Sequence, residues 1–309
     1  MRKTNITRHN NHKKHKKRKQ KTQKQRFINL SCSPKLKQKS FSCYSDEAIY
    51  QFRDLWNERH PDQKIVTTDT KEIWTRLKEY YAHVCNKESC WIRQMAKNTK
   101  LEKELLEFFS PEAPKSWKKN PNEWLSSIDI IQVMNQYEKK YSCFDFLGPS
   151  PINYNSRKLQ GECVWNELCK FSLTKHMQRG HKKIGVIFNL DPDYKGGSHW
   201  VSLFINVKQK TIFFFDSTGD PIPDQIRKFV DMVIKQGTEL SVPIHFAFDQ
   251  NYPVEHQYGN TECGMYSIFF IIHMLEDKIN GHYLKTHILK DKYMEKLRKV
   301  YFNESGHLK

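Results

Sequence analysis

Two apolar runs, WVSLFINV (200–207) and TIFFFDS (211–217), are separated only by the polar stretch KQK, and this constrains the fold more than any other feature. Each run is one strand long, and a link that short predicts a hairpin. IGVIFNL (184–190) precedes them as a third buried strand, and VPIHFAFDQ (242–250) follows as a fourth. Between them DQIRKFVDMVIKQG (224–237) repeats its apolar residues at helical spacing, with Gly237 as the expected stop. An apolar helix is expected from Cys263 to about 276. Strands in a block with helices before, between and after them predict the α+β class.

Upstream of about residue 142 the pattern is helical throughout. Ser45 or Asp46 can cap a helix carrying Ile49, Phe52 and Trp56, which His60-Pro61 ends. Asp69 and Glu72 have capping-box spacing ahead of a face made by Ile73, Trp74, Leu77, Tyr80, Tyr81 and Val84. A third helical segment runs over 89–109, and PKSWKKNPNEW reads as a linker. A fourth helix is expected at about 123–139, with Leu125, Ile128, Ile131 and Val133 on its buried side.

Charge divides the chain. The formal net charge is +18, yet residues 1–40 hold fifteen Lys or Arg and no acid, and the remainder holds 37 basic and 34 acidic side chains. The first segment has almost no core-forming residues and is expected to be disordered, because it cannot bury enough apolar area to offset its ordering entropy. Fifteen cations suit nonspecific attachment to nucleic acid, and residues 12–21 also suit nuclear import. The expected organisation is a basic tail over 1–42, a helical extension over 43–115 and a main domain over 116–309. No apolar run reaches 18 residues and no apolar leader stands at the N-terminus, so no membrane partner is expected. Eight cysteines, at 32, 43, 85, 90, 143, 163, 169 and 263, are too sparse for a disulfide scaffold, and mostly free thiols are expected.

Thiol hydrolysis requires a nucleophile, an imidazole base, a group that orients that base, and donors facing the oxyanion. Each has a candidate. Cys263 opens the apolar helix, where unpaired N–H groups and the helix dipole favour a thiolate. His199 stands at the mouth of one hairpin strand, and Asp216 ends its partner after four apolar residues. The hairpin brings those two ends together. Gln257, six residues before Cys263, offers a side-chain amide to the oxyanion. Taken singly, each has an ordinary reading: a packed thiol, a surface imidazole, a turn aspartate. The rivals are weaker. Cys163 has helix-start character but no strand-borne histidine, and it sits with Cys169 in an expected helix, VWNELCKF. His256 lies on the loop leading to Cys263. Cys163, Cys169, His176 and His181 are set aside as zinc ligands, because Cys-x5-Cys is wide for a structural site. Cys85 and Cys90 lack a second cysteine pair.

The segments GGSHWVSLFINV, IFFFDSTGD and HQYGNTECGMYSIFF resemble the ubiquitin-like-protein-specific, SUMO-type cysteine protease clan, which includes adenovirus-type and African-swine-fever-type processing proteases. The resemblance covers about 183–277. EWLSSIDIIQVMNQY resembles the clan's Trp-Leu-Asn-Asp helix, with Ser126-Ser127 in place of Asn-Asp, and the segment around Cys85 and Cys90 is similar to the African-swine-fever-type enzyme. The resemblance implies a papain-like fold with a central mixed sheet flanked by helices. It also implies Cys263 as nucleophile, His199 as base, Asp216 as its orienter and Gln257 as oxyanion donor, with no cofactor. Trp200 and Trp124 are then substrate-binding residues, Trp200 roofing a channel that passes only glycine. The expected activity is maturation of viral precursors after Gly-Gly-X, in the virion or the cytoplasmic viral factory. The alternatives are deconjugation of ubiquitin-like proteins, or a nucleic-acid-binding protein with an inactive protease fold.

Overall fold

The computed structural model describes residues 31–35, 39–95 and 100–304. The expected tail therefore lies largely outside the described residues. Its described part contradicts the expectation of disorder: Ser31, Cys32 and Ser33 are buried, and Cys32 bridges to Phe109 as an antiparallel pair.

Four helices come first: α1 (Asp46–Arg59), α2 (Thr70–Tyr80), α3 (Ser89–Met95) and α4 (Lys100–Leu106). Ser45 caps α1 and Asp69 caps α2, each accepting a backbone N–H of the first turn. The third segment is thus two short helices. The expected linker contains a short 3-10 turn at Lys115–Lys118. These helices share a core of aromatic residues, including Phe52, Trp56, Trp74, Trp91 and Phe109.

Next come α5 (Ser127–Lys140), β1 (Phe144–Phe146), β2 (Ser150–Pro151), α6 (Asn166–Cys169), α7 (Leu173–Gln178), β3 (Lys183–Asn189), β4 (Trp200–Asn206) and β5 (Thr211–Phe215). The chain finishes with α8 (Asp224–Thr238), β6 (Ala247–Gln250), α9 (Cys263–Leu275), α10 (Gly281–Thr286) and α11 (Asp291–Tyr301). One mixed sheet runs β1-β3-β4-β5-β6, with β2 also on β3. The β3–β4 and β4–β5 pairs are antiparallel; β1–β3, β2–β3 and β5–β6 are parallel. This is the expected α+β, papain-like arrangement, a central mixed sheet flanked by helices.

Strand alternation explains why both faces are apolar. Trp200, Phe204, Phe213 and Phe215 face one side, where α5, α9 and α11 pack. Val201, Leu203, Ile205, Ile212 and Phe214 face the other, against Phe229, Val230 and Val233 of α8. α9 is buried over nearly its whole length, so an all-apolar helix sits where its sequence requires.

Several boundaries differ from expectation. Ser126 and Asp129 form a capping box, so α5 starts after Leu125 and its buried face is Ile130, Val133, Met134 and Tyr137. Ile128 is exposed, because Leu125 belongs to the preceding loop and counting from it shifts the face. α8 continues past Gly237 to Thr238, and the glycine leaves room for the Ile244 carbonyl oxygen, which a Cβ there would meet at 2.7 Å. The last strand is shortened to Ala247–Gln250, the stretch in register with Thr211–Phe214.

The cysteine expectation is overturned most clearly. Cys32–Cys43, Cys85–Cys90 and Cys163–Cys169 are disulfides, with Cα separations of 5.3, 5.6 and 6.3 Å. Each closes a loop of at most eleven residues. Local turns make these pairs, so overall cysteine density was the wrong measure. Cys143 and Cys263 are the free thiols.

Candidate active site

His199 is held at the start of β4, where its carbonyl accepts the Leu190 N–H at 2.9 Å. Asp216 follows β5 directly. The β4–β5 register pairs Ser202 with Phe215, so the two candidate residues flank the same end of the hairpin. His199 Nε2 lies 2.7 Å from Asp216 Oδ1. The Cys263 side chain acts on the same imidazole, and with Nε2 engaged by Asp216 the remaining nitrogen, Nδ1, is the one available to it. Cys263 is the first residue of α9 and is only 2% exposed.

Electrostatics favour a protonated imidazole. Burial alone would push His199 down, but the hydrogen bonds and charges of Asp216 and Cys263 outweigh it and raise the group from 6.5 to about 10. Asp216 is 1% exposed and firmly fixed. Its Oδ1 accepts the Thr218 N–H at 2.9 Å and the Thr218 hydroxyl at 2.8 Å. Its backbone is clamped by the Asn251 amide, which accepts the Asp216 N–H at 2.9 Å and donates to the Asp216 carbonyl at 2.7 Å.

Gln257 is fixed beside the same turn. Its Oε1 accepts the Ser217 hydroxyl at 2.8 Å and its Nε2 donates to the Gly259 carbonyl at 2.7 Å. The Gln257 backbone N–H reaches the Ser217 carbonyl at 2.8 Å, tying the loop before α9 to the end of β5.

Trp200 is 8% exposed and donates its indole N–H to the Leu125 carbonyl at 3.0 Å. Leu125 in turn abuts α9: a Cβ on Gly264 would lie 2.9 Å from Leu125 Cβ. Trp124 is 45% exposed. Both tryptophans line a groove of about 880 Å³ that also takes in His199, Gly197, Asn189 and Trp165.

The rivals fall away. Cys163 is bonded to Cys169 and has no thiol to offer. It also lies outside the expected helix, which shortens to Asn166–Cys169. His256 is fully buried, and burial pushes its imidazole down. Its Nδ1 accepts the Leu289 N–H at 3.1 Å.

Other supporting residues escaped the sequence reading. Asn251 carries no motif, and only its place after a strand could have drawn attention. Glu262, just before the thiol, is 2% exposed and forms an ion pair with Arg298, 4% exposed, at 2.9 Å. Arg298 also donates to the Glu123 carbonyl at 2.8 Å. Arg298 comes from α11, and no spacing announces it.

Residues 161–308 match the model of the Ulp1 protease family, C-terminal catalytic domain. They form an Ulp1-type protease domain. The match extends beyond 183–277 on both sides, taking in the segment before β3 and nearly the whole C-terminal region. A thiol protease of Acanthamoeba polyphaga mimivirus is 28% identical over 250 residues, spanning 77% of this chain and 76% of that protein. The cysteine protease of African swine fever virus (Tick/Malawi isolate) is 26% identical over 243 residues, spanning 74% and 86%. The crystal structure of the African swine fever virus protease superposes with a TM-score of 0.63 at 18% identity, covering 89% of this chain and 96% of that one. The chain is a cysteine peptidase, and the proteins it is similar to include viral enzymes.

Proposed function

We propose that this peptidase matures structural precursors of a virus particle by cutting after Gly-Gly-X, with Cys263 as nucleophile. The observation that carries the reading is the 2.7 Å contact of His199 with the buried Asp216 at the edge of the groove, with Cys263 at the start of α9 acting on the same imidazole. The Cys263 thiolate attacks the scissile carbonyl carbon, and His199, protonated and oriented by Asp216, gives its proton to the leaving amine. A thioester remains. Water then attacks it, His199 takes the water's proton, and the acid product leaves as the thiol is restored.

The tetrahedral oxyanion is met by the Cys263 backbone N–H at the helix N-terminus and by Gln257. One Nε2 hydrogen of Gln257 is spent on Gly259 and the Oε1 on Ser217, which fixes the amide plane and leaves the second hydrogen for the oxyanion. Trp200 and Trp124 frame the approach, and the buried, hydrogen-bonded indole of Trp200 is a rigid wall suited to glycine at the two positions before the cut. The three disulfides favour a setting in the particle over the reducing cytosol. The cations of residues 1–40 would hold the enzyme on nucleic acid where precursors assemble.

A deconjugating activity is the second reading, favoured by the name of one relative, the SUMO-1 cysteine protease of an African swine fever virus isolate, 26% identical over 243 residues. One assay separates the two. Wild-type protein and Cys263→Ala are offered a Gly-Gly-X peptide panel, peptides with bulky residues before the bond, and a SUMO fusion. Cleavage confined to Gly-Gly-X peptides and lost in Cys263→Ala is the expected result. Selective cleavage of the fusion moves the function to deconjugation. Cleavage of the bulky peptides at equal rate removes the glycine channel, and undiminished activity of Cys263→Ala removes the nucleophile.

A further inference from the structure

A second cluster of chemistry-bearing side chains lies away from the active site, on β1. The Phe144-Asp145-Phe146 strand alternates, so both phenylalanines enter the core with α5 and α9 while Asp145 points to the opposite face. There it meets two histidines. His176 Nδ1 is 2.7 Å from Asp145 Oδ2, and His181 Nδ1 is 3.2 Å from the same oxygen.

The backbone brings these imidazoles together on purpose-built geometry. α7 ends in a Schellman closure: the His181 N–H bonds the His176 carbonyl at 3.0 Å, and the Gly180 N–H bonds the Met177 carbonyl at 3.0 Å. Gly180 takes φ +86°, which a side chain would strain. The chain therefore doubles back, and residues 176 and 181 present their rings side by side. The His176 ring is further fixed by stacking on Phe171 at 4.8 Å.

The two imidazoles converge on a single carboxylate oxygen. Both Nδ1 atoms are buried, and neither is aligned as a hydrogen bond to any described group, although each lies close to Asp145 Oδ2. Three ligand atoms, two nitrogens and one oxygen, lie within 4.8 Å of one another. That is the donor set and spacing of a site for a zinc-type divalent ion.

We propose that Asp145, His176 and His181 bind a zinc-type divalent cation, leaving one coordination position for water. The three side chains are 19%, 11% and 21% exposed, which gives an ion a route in while keeping the nitrogens largely dry. The site is separate from the catalytic centre: Asp145 pairs with Ile184 on β3, and the active-site end of that strand is Asn189, opposite Trp200. Five residues of strand is about 16 Å. The ion would clip β1, α7 and the entry to β3 together. The two cysteines whose spacing argued against zinc are not ligands, since they are bonded to each other.

The test uses full-length protein carrying Cys263→Ala, which removes any thiolate–imidazole binding at the active site. Chelator-stripped protein is titrated with Co(II), and bound metal and the visible d–d bands are recorded. The comparison proteins add His176→Ala with His181→Ala, or Asp145→Asn alone, to the same background. The His-bearing stretch His9, His12 and His15 is common to all, so it cancels in the difference. The expected result is one fewer tightly bound Co(II) per chain in the double-histidine variant. Asp145→Asn, which preserves shape and covers the case of a double variant that does not fold, should weaken binding beyond the roughly 10–100-fold that loss of a supporting partner costs. Equal stoichiometry and affinity in the Cys263→Ala and Asp145→Asn proteins would overturn the site and leave a shared proton as the link among the three side chains.

Discussion

The helical N-terminal region and the peptidase half each bury a carboxylate, and they treat it in opposite ways. Glu88, 5% exposed, is held by neutral donors: the Ser42 hydroxyl, the Cys43 N–H and the Trp74 indole, each at 2.7 Å. Burial pushes its carboxyl up, and those donors with the charge of Lys78 only partly pull it back. Glu262 is instead gripped by a buried guanidinium, with Arg298 Nε and the Arg298 fork both at 2.9 Å. The first arrangement knits together segments of a helical core. The second fixes the residue before Cys263 to α11, so its rigidity is delivered to the proposed nucleophile. A buried carboxylate is thus a joint between segments in one region and a brace beside the proposed nucleophile in the other.

The largest expected effect tests the chemical side of that contrast. Asp216→Ala removes both charge and orientation from His199, and kcat should fall on the order of 10³–10⁴-fold. Asp216→Asn, which keeps a hydrogen-bond acceptor, should recover part of the rate. The pH profile separates the two contributions. With His199 raised to about 10, the wild-type rate should hold into alkaline pH and fall as pH rises through that value. The stability contributed by the raised imidazole runs the same way: complete below about 6.5, lost as pH rises through about 10. Both variants should move the alkaline limb down. An unmoved limb would mean that Asp216 does not set the charge of His199.

Arg298→Ala comes next. It strands Glu262 in a buried site without its partner, for an expected loss of about 3–5 kcal/mol in chemical denaturation. If the pair supports the nucleophile, the fraction that stays folded should also react more slowly with a thiol-alkylating probe. Full thiol reactivity in folded Arg298→Ala would reduce the pair to a joint like Glu88. Gly264→Ala is milder. A Cβ 2.9 Å from Leu125 overpacks the contact between α9 and the residue whose carbonyl holds Trp200, and about 1–3 kcal/mol is expected. KM for Gly-Gly-X peptides should rise with it, since Trp200 shifts.

These residues also mark how far the sequence could be read. His199, Asp216 and Cys263 stand at strand and helix ends, and such ends are announced locally by a short turn or the onset of an apolar helix. The sheet, its two apolar faces and the helical N-terminal region were legible for the same reason. Asn251, which clamps Asp216 across 35 residues, and Arg298, which reaches Glu262 across 36, depend on how distant segments dock. The α5 face was misplaced because a capping box, and not the first leucine, sets where that helix begins. The disulfides escaped because their partners meet through local turns.

The smallest effect sharpens the structural side. Glu88→Gln keeps the shape but replaces one acceptor oxygen with an NH2 that must face a donor. The Ser42 hydroxyl can reverse to accept it; the Trp74 N–H cannot. About 1 kcal/mol should be lost near neutral pH. The sign of the pH dependence is the stronger test. A carboxyl raised in the folded state is protonated there while the unfolded chain has already ionised, so wild-type stability falls as pH rises from about 4.5 through the raised value. The glutamine has no such step. Denaturation midpoints taken from acid to neutral pH should therefore show a slope in the wild type that Glu88→Gln flattens, with cleavage per folded molecule unchanged. An altered cleavage rate would mean that the N-terminal region reaches the active site after all, through the contacts of Ser31 with Lys299 and Ser110 with Val300 on α11, the helix that also carries Arg298.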